Sequence, residues 1–263
     1  MEPEFDLKDL YQKDFDTESY FQMYFNPKSD AYVEGYFLPF MLENLHKTFS
    51  SGDVKGDLLI DIGCGPSIHM IISACECFKE IIASDWTDAN RRAYETWLRD
   101  KPGAFDWTPV LSMACELEGD RTKCAEKEKK IGATVKRVLE CDVTRSNPLY
   151  PVVLPPADCL VTSLCLESAC TNLNSYSQAV RNITTLLKKG GHLVMCGANG
   201  CTNYRVGQKI FPALNLSEEI VKTTLIANGY VIKEMKIHPL SAKQKADFDY
   251  LSEYFFFLAQ KNV

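Results

Sequence analysis

From residue 57 onwards, short apolar runs alternate with segments whose apolar residues recur every three or four positions. The runs predict strands and the longer segments predict amphipathic helices. The predicted strands are residues 57–63, 79–85, 135–143, 157–164, 192–198, 231–237 and 254–261, and the predicted helices include residues 88–100, 174–189 and 217–229. This alternation is typical of an α/β fold with a doubly wound, mostly parallel seven-stranded sheet. No helical pattern separates the last two strands, which predicts an antiparallel strand at the sheet edge.

Two segments depart from the alternation. Residues 103–131 predict an insert between the second and third strands, with an extra short strand and a strongly charged helix. Near the N-terminus, residues 30–49 predict a long helix, which follows a dense aromatic segment containing Tyr11, Phe15, Tyr20, Phe21, Tyr24 and Phe25. These aromatics predict either ordinary core or a lid over a ligand cleft. We therefore expect a single domain over residues 1–263, with a helical lid at 1–50 and a catalytic core at 51–263.

Composition excludes several classes of partner. The net charge is −6 and no stripe of Lys or Arg is present, so nucleic-acid binding is disfavoured. The first residues are acidic and polar, unlike a signal peptide, and no apolar run reaches the ~20 residues of a membrane span. We expect a soluble, cytoplasmic monomer that interacts with neither nucleic acid nor membranes.

The cysteines and histidines do not form a metal-binding pattern. The eleven cysteines are odd in number and lack paired CxxC spacings, and several lie inside apolar runs. Buried, reduced thiols are the expected interpretation. The four histidines are scattered, so no metal site is predicted.

The sequence LLIDIGCGPS at residues 58–67 predicts a strand, a glycine turn and a helix beginning near Pro66. Gly63 and Gly65 permit a sharp turn and a close approach of ligand to backbone. Dinucleotide-binding enzymes carry a third glycine that would fall at position 68, where this chain has Ile68. An NAD-dependent oxidoreductase is therefore disfavoured.

Carboxylates at two predicted strand ends suit a nucleoside. Asp85 ends the second strand, 24 residues after Asp61, and could accept hydrogen bonds from a ribose diol, with Asn90 as a second contact. Alternatively, Asp85 could cap the following helix. Asp142 ends the third strand, where it could accept from an adenine amine while the amide of Val143 addresses a ring nitrogen.

These motifs resemble those of the class I methyltransferases, which are Rossmann-like. Within that class the chain closely resembles the nicotinamide, indolethylamine and phenylethanolamine N-methyltransferases over nearly its whole length. The resemblance rests on YQKDFDTESYFQMYF, KGDLLIDIGCGP, DKPGAFDWTPV, ELEG, VKRVLECDV, NPL, LPPADCLVTSLCLESAC and ITTLLKKGGHLV. It implies S-adenosyl-L-methionine as cofactor.

Carried over by position, the family's cofactor contacts fall on Tyr20, Phe25, Gly63, Cys64, His69, Asp85, Asn90, Asp142, Val143 and Ser163. The chain departs from the family pattern at several of them. Phe25 and His69 replace tyrosines, Cys64 replaces a serine, and Lys189, outside the contact set, replaces a proline.

The acceptor side departs further from the nicotinamide member. The acid of that enzyme at the end of strand HLVMCG is Gly197 here, and its small hydroxyl residue is Ala213. Glu167 matches an acid of the phenylethanolamine member, and Asp249 lies at or beside a second, whereas a third, expected near Gly200, is missing. Glu167 and Asp249 are the candidate catalytic residues, although either could be structural. The candidate acceptor-binding residues are Tyr24, Leu164, Gly197, Ala198, Tyr204 and Ala213.

The sequence thus predicts methyl transfer to a small aromatic amine of the arylethylamine type. A pyridine acceptor such as nicotinamide is the alternative substrate. A protein that binds S-adenosylmethionine without catalysis is the second alternative.

Overall fold

The computed structural model describes residues 7–33, 37–240 and 252–262. Its central sheet has seven strands in the order β3-β2-β1-β4-β5-β9-β8, and a separate hairpin is formed by β6 and β7. The strands are β1 (Gly56–Ile62), β2 (Phe78–Asp85), β3 (Val135–Glu140), β4 (Ala157–Ser163), β5 (Leu187–Asn199), β6 (Asn203–Val206), β7 (Lys209–Pro212), β8 (Tyr230–Pro239) and β9 (Glu253–Lys261). The predicted fold class is confirmed.

Helices surround this sheet on both faces and cover one end of it. They are α1 (Leu7–Asp14), α2 (Thr17–Tyr24), α3 (Phe37–Ser50), α4 (Asp88–Leu98), α5 (Thr108–Leu117), α6 (Cys124–Thr134), α7 (Leu166–Ala169), α8 (Leu173–Thr184) and α9 (Glu218–Ala227). In the described part of the chain, none of these helices is long and apolar enough to cross a membrane.

Strand periodicity divides the core into two clusters. On β1, Leu59 belongs to the cluster that includes α3 and α5, whereas Leu58 and Ile60 belong to the cluster that includes α8 and α9. This division follows because successive side chains of a strand point to opposite faces of the sheet.

The parallel register brings the carboxyl ends of the strands together at one end of the sheet. Ile62 of β1 lies opposite Ser84 of β2 and Thr162 of β4, and Asp85 lies opposite Glu140 of β3. Strand β9 runs antiparallel to both of its neighbours, β5 and β8. The residues that follow β1, β2, β3 and β4 therefore lie together at the carboxyl end of the sheet, where ligands of doubly wound sheets bind.

Several predicted boundaries were wrong. The extra strand of the insert is absent from the described residues, because Thr108 and Pro109 begin α5, and proline suits the first turn of a helix. No α-helix begins near Pro66. Instead, two 3-10 turns follow the glycine turn, at His69–Ile71 and Ala74–Glu76.

Two helix ends also differ from prediction. The helix predicted over 174–189 ends at Thr184, because Leu187 already pairs with Ala157 of β4. The helix predicted from residue 30 begins at Phe37 as α3, after a described segment that is not helical. The β6–β7 hairpin was not predicted.

Candidate active site

A cleft lies at the carboxyl ends of β1 to β4, with an empty volume of about 950 Å³. Helices α1 and α2 lie over it, with Lys8, Tyr11 and Tyr20 among the lining residues. Most of the predicted site residues line this cleft: Tyr20, Gly63, Cys64, His69, Asp85, Asn90, Asp142, Val143, Ser163, Leu164 and Tyr204.

Asp85 is held rigidly by neighbouring donors. One carboxylate oxygen accepts hydrogen bonds from the backbone amide of Thr87 at 2.8 Å and from Nδ2 of Asn90 at 3.1 Å. The other accepts from the amide of Gly65 at 2.9 Å, which ties the strand end to the glycine turn. Burial raises the pKa of Asp85, and these hydrogen bonds oppose part of that rise. The N-cap of α4 is Thr87, so Asp85 is not consumed by the capping role considered as its alternative.

Asp142 is paired with cations. One oxygen lies 2.6 Å from Nζ of Lys8 and 3.1 Å from Nε of Arg145, and the other accepts from the amide and hydroxyl of Thr144 at 3.1 and 2.6 Å. Burial alone would raise the pKa of Asp142, but the hydrogen bonds from Lys8 and Thr144 outweigh it and lower the pKa. Lys8, on the lid, therefore binds the carboxylate that was predicted to accept from the adenine amine. The sequence did not predict this contact.

Polar atoms without partners line the same cleft. Both carboxylate oxygens of Asp61 and the hydroxyl of Ser163 lack a hydrogen-bond partner within the described part of the chain. Asp61 is fully buried, and burial raises its pKa well above the ordinary value. An unpaired buried carboxylate is costly unless a ligand supplies a donor or cation. S-adenosylmethionine carries a sulfonium and an ammonium, so the residues present fit this cofactor.

The lid contacts both sides of the cleft. On one side, Lys8 joins α1 to Asp142, as described above. On the other side, the hydroxyl of Tyr11 lies 2.7 Å from that of Tyr204 on β6, and Tyr24 donates to the carbonyl of Arg205 at 2.8 Å. The aromatic segment therefore packs on the β6–β7 hairpin, which the sequence did not predict.

Glu167 lies behind the cleft wall. It is 5% exposed, it belongs to the short helix α7, and its Oε1 has no partner among the described residues. Burial raises its pKa to about 7, with backbone hydrogen bonds at Glu167 and Ala198 opposing the shift. A Cβ built at Gly197 would lie 2.7 Å from Oε1 of Glu167 and 2.4 Å from Cζ of Phe255. The structure thus brings together the two positions that the sequence singled out.

The other predicted residues that the structure describes do not line the cleft. Phe25 packs against His69, with ring centroids 5.2 Å apart, and Ala198 belongs to a small cluster with Tyr254. Ala213 follows β7 and bonds the carbonyl of Thr202 through its amide at 2.9 Å. Asp249 lies outside the described residues.

Sequence reasoning missed several residues that line the cleft: Lys8, Tyr11, Ser67, Cys141, Cys165 and Ser168. Only Tyr11 carried a signal, as one of the clustered aromatics. Each of the eleven cysteines is a free thiol. No group of three or more His, Cys, Asp or Glu side chains arranged to hold a metal occurs in residues 7–33, 37–240 and 252–262.

Comparisons with known proteins identify the family of the chain. The model of the NNMT/PNMT/TEMT family matches residues 4–262. The chain is 47% identical to indolethylamine N-methyltransferase of Oryctolagus cuniculus, with 92% of each chain covered. It is 45% identical to human nicotinamide N-methyltransferase, with 90% of each covered. It is 36% identical to human phenylethanolamine N-methyltransferase, with 95% of this chain and 90% of the relative covered.

Solved structures support the fold. Magnesium protoporphyrin IX methyltransferase of Synechocystis with bound S-adenosylhomocysteine has a TM-score of 0.60 at 12% identity, covering 97% of this chain and 98% of the other. An N-methyltransferase of Bradyrhizobium japonicum with the same ligand has a TM-score of 0.56 at 13% identity, covering 97% and 99%. The chain belongs to the NNMT/PNMT/TEMT family and is an S-adenosylmethionine-dependent N-methyltransferase.

Proposed function

We propose that this N-methyltransferase methylates the amine nitrogen of an arylethylamine. The observation that carries the proposal is the buried carboxyl of Glu167, whose Oε1 is unpaired within the described residues and lies beside Gly197. Relatives named for indolethylamine and phenylethanolamine support this substrate class.

An amine acceptor needs a group that removes a proton. An alkylamine is mostly protonated at neutral pH, and its lone pair is free only after the proton leaves. Because burial raises the pKa of Glu167 to about 7, this carboxyl can gain and lose a proton near physiological pH. Its chain neighbours Cys165 and Ser168 line the cleft and Glu167 lies behind them, so Glu167 would accept the proton through a bound water.

The other residues position and enclose the reactants. When bound, S-adenosylmethionine supplies a methyl group that its own sulfonium activates, so the protein's main task is alignment, worth ~7–11 kcal/mol. Asp85 would hold the ribose, and Asp61 would neutralise positive charge under the glycine turn. The aromatic lid, with Tyr11 and Tyr20, would exclude water.

A pyridine acceptor is the second candidate. A nicotinamide N-methyltransferase of Sus scrofa is 47% identical to this chain, which supports this candidate. The absence of an acid at Gly197 argues against it, because the resemblance assigns the contact with the carboxamide to that acid.

The test is the substitution Glu167→Gln, which keeps the shape of the side chain and removes its charge. Turnover of tryptamine or phenylethanolamine is expected to fall by ~10²-fold, in the lower range for a positioned acid or base. Turnover of quinoline is expected to change much less, because its nitrogen has no proton to lose. The exposed carboxylate of Glu126 on α6 gives the matched control, and Glu126→Gln should leave both rates unchanged.

Equal losses on both acceptor types would make Glu167 a structural residue. A wild-type protein that methylates nicotinamide efficiently and no amine would replace the proposal with the pyridine alternative.

A further inference from the structure

His69 lines the cleft, and its Nε2 atom has no hydrogen-bond partner among the described residues. The side chain is 5% exposed and lines the cleft in the turn that follows Gly65. Its Nε2 has no partner among the described residues, and its ring packs against Phe25. A buried polar atom in this state at a ligand cleft calls for a partner that the ligand supplies.

Neighbouring hydrogen bonds determine which nitrogen of His69 carries the proton. The hydroxyl of Ser67 donates its single hydrogen to the carbonyl of Cys64 at 2.8 Å. The same hydroxyl oxygen lies 3.0 Å from Nδ1 of His69, so while Ser67 donates to Cys64 its oxygen accepts from Nδ1. In the neutral ring Nε2 is then an acceptor without a donor among the described residues.

The order of the strand ends places one end of the cofactor at His69. Asp142 follows β3, Asp85 ends β2, and the glycine turn follows β1. These three sites therefore lie side by side, in that order, at the carboxyl end of the sheet. A nucleoside bound at Asp142 and Asp85 would therefore extend its amino-acid end towards the glycine turn, which His69 follows. That end carries one ammonium and one carboxylate.

The two charges have different partners available in the cleft. Both oxygens of Asp61 are unpaired, so Asp61 is the natural partner of the ammonium. The cleft-lining side chains left for the carboxylate include the hydroxyls of Tyr20 and Ser163 and the ring of His69. Phe25 brings no hydroxyl, and a bare Nε2 would repel a carboxylate unless it acquires a proton.

We infer that His69 binds the carboxylate of the cofactor as an imidazolium, and that each binding event transfers one proton from the solution to Nε2. The ring then donates from both nitrogens, to Ser67 through Nδ1 and to the carboxylate through Nε2. Cofactor affinity therefore increases as the pH falls, which a tyrosine at this position would not produce.

The charged and titratable groups around His69 are consistent with a cofactor affinity that increases as the pH falls. Burial alone lowers the pKa of His69 to about 3 in the free protein. The other titratable groups that line the cleft beside it are Tyr20 on α2, Asp61 on β1, Cys64 in the turn and Asp85 on β2. The carboxylate raises the pKa of the bound imidazole, so proton uptake occurs between the two values and affinity is lost as the pH rises through the upper one.

The test is calorimetry of S-adenosylhomocysteine binding at pH 6 in two buffers with different heats of ionisation. Wild-type protein is expected to take up as much as one proton more than His69→Tyr, because any proton that Asp61 releases on pairing with the ammonium is common to both proteins. The affinity of wild type relative to that variant should rise by up to about tenfold for each unit of pH decrease. Methylthioadenosine shares the nucleoside and thioether but lacks the amino-acid end, so wild type and His69→Tyr should bind it with equal proton exchange. His192→Gln, on β5 outside the cleft, should behave as wild type.

Equal proton exchange in wild type and His69→Tyr on binding S-adenosylhomocysteine would overturn the inference. A difference between the two proteins that is equally large for methylthioadenosine would overturn it as well. These measurements contain no methyl acceptor, so their failure leaves the proposed acceptor class untouched.

Discussion

The proposed nucleoside half of the cleft and its proposed acceptor half differ in how they hold their carboxylates. Asp85 accepts three hydrogen bonds from the chain, from Gly65, Thr87 and Asn90. Glu167 keeps Oε1 unpaired among the described residues and is shielded behind the cleft wall. The first carboxylate has its geometry fixed before any ligand arrives, whereas the second retains the capacity to accept a proton.

This difference fits the roles proposed for the two halves. A ribose diol makes the same demand in every cofactor molecule, so a rigid acceptor at a strand end serves it well. A proton acceptor needs a pKa near the working pH, which burial without full hydrogen bonding provides for Glu167.

The largest expected effect in the nucleoside half comes from Asp85→Ala. Loss of the hydrogen bonds between a charged acceptor and the ribose should weaken binding of S-adenosylhomocysteine by roughly 1.5–3 kcal/mol, about ten- to a hundredfold. Calorimetry measures the affinity, and circular dichroism should stay unchanged. Wild-type affinity in this variant would refute the ribose assignment.

A smaller effect is expected in the acceptor half from Gly197→Ala. The new Cβ would meet Cζ of Phe255 at 2.4 Å and Oε1 of Glu167 at 2.7 Å, so both side chains must shift. Overpacking of this kind costs about 1–3 kcal/mol of unfolding free energy, which denaturant titration measures.

The control for this substitution is Gly132→Ala in α6, where an added Cβ meets nothing within 4 Å. Alanine favours a helix over glycine by about 1 kcal/mol, so this variant should be more stable than wild type. Equal stability of the two variants would show that Gly197 is not required by its neighbours.

The same division marks what the sequence could predict. Asp85, Asp142 and the glycine turn lie at the ends of strands that are easily recognised as apolar runs. Parallel pairing of these strands is enough to predict that the three sites lie together at the carboxyl end of the sheet. The contact between Lys8 and Asp142 joins residues 134 positions apart. Nothing in local periodicity encodes such a contact, because it depends on how the lid docks.

Local patterns also failed where pairing overrode them. Leu187 continues an amphipathic helical pattern, yet pairing with Ala157 draws it into β5. The β6–β7 hairpin turns at Gly207 with φ of +58°, between segments too short to stand out. Both cases concern the acceptor half or its supports, where tertiary contacts decide the structure.

The smallest expected effect concerns the contact that joins the lid to the acceptor half. Tyr11→Phe removes the hydrogen bond between the hydroxyls of Tyr11 and Tyr204 but keeps the ring packing against Phe15 and Phe211. One such bond contributes about 1 kcal/mol, so hydrogen exchange across residues 7–25 should become roughly fivefold faster in the free protein. Exchange in β1 should not change.

Tyr204→Phe removes the same bond from the other side, so the two single variants and the double variant should show similar exchange if the hydroxyl pair is responsible. Tyr150→Phe, at a tyrosine that is 62% exposed, should have no effect. S-adenosylhomocysteine is expected to slow exchange of residues 7–25 in every variant, because closing the lid over a sulfonium site excludes water. If the ligand leaves exchange there unaltered, these aromatics are ordinary core, and the two halves of the cleft are not joined by a moving lid.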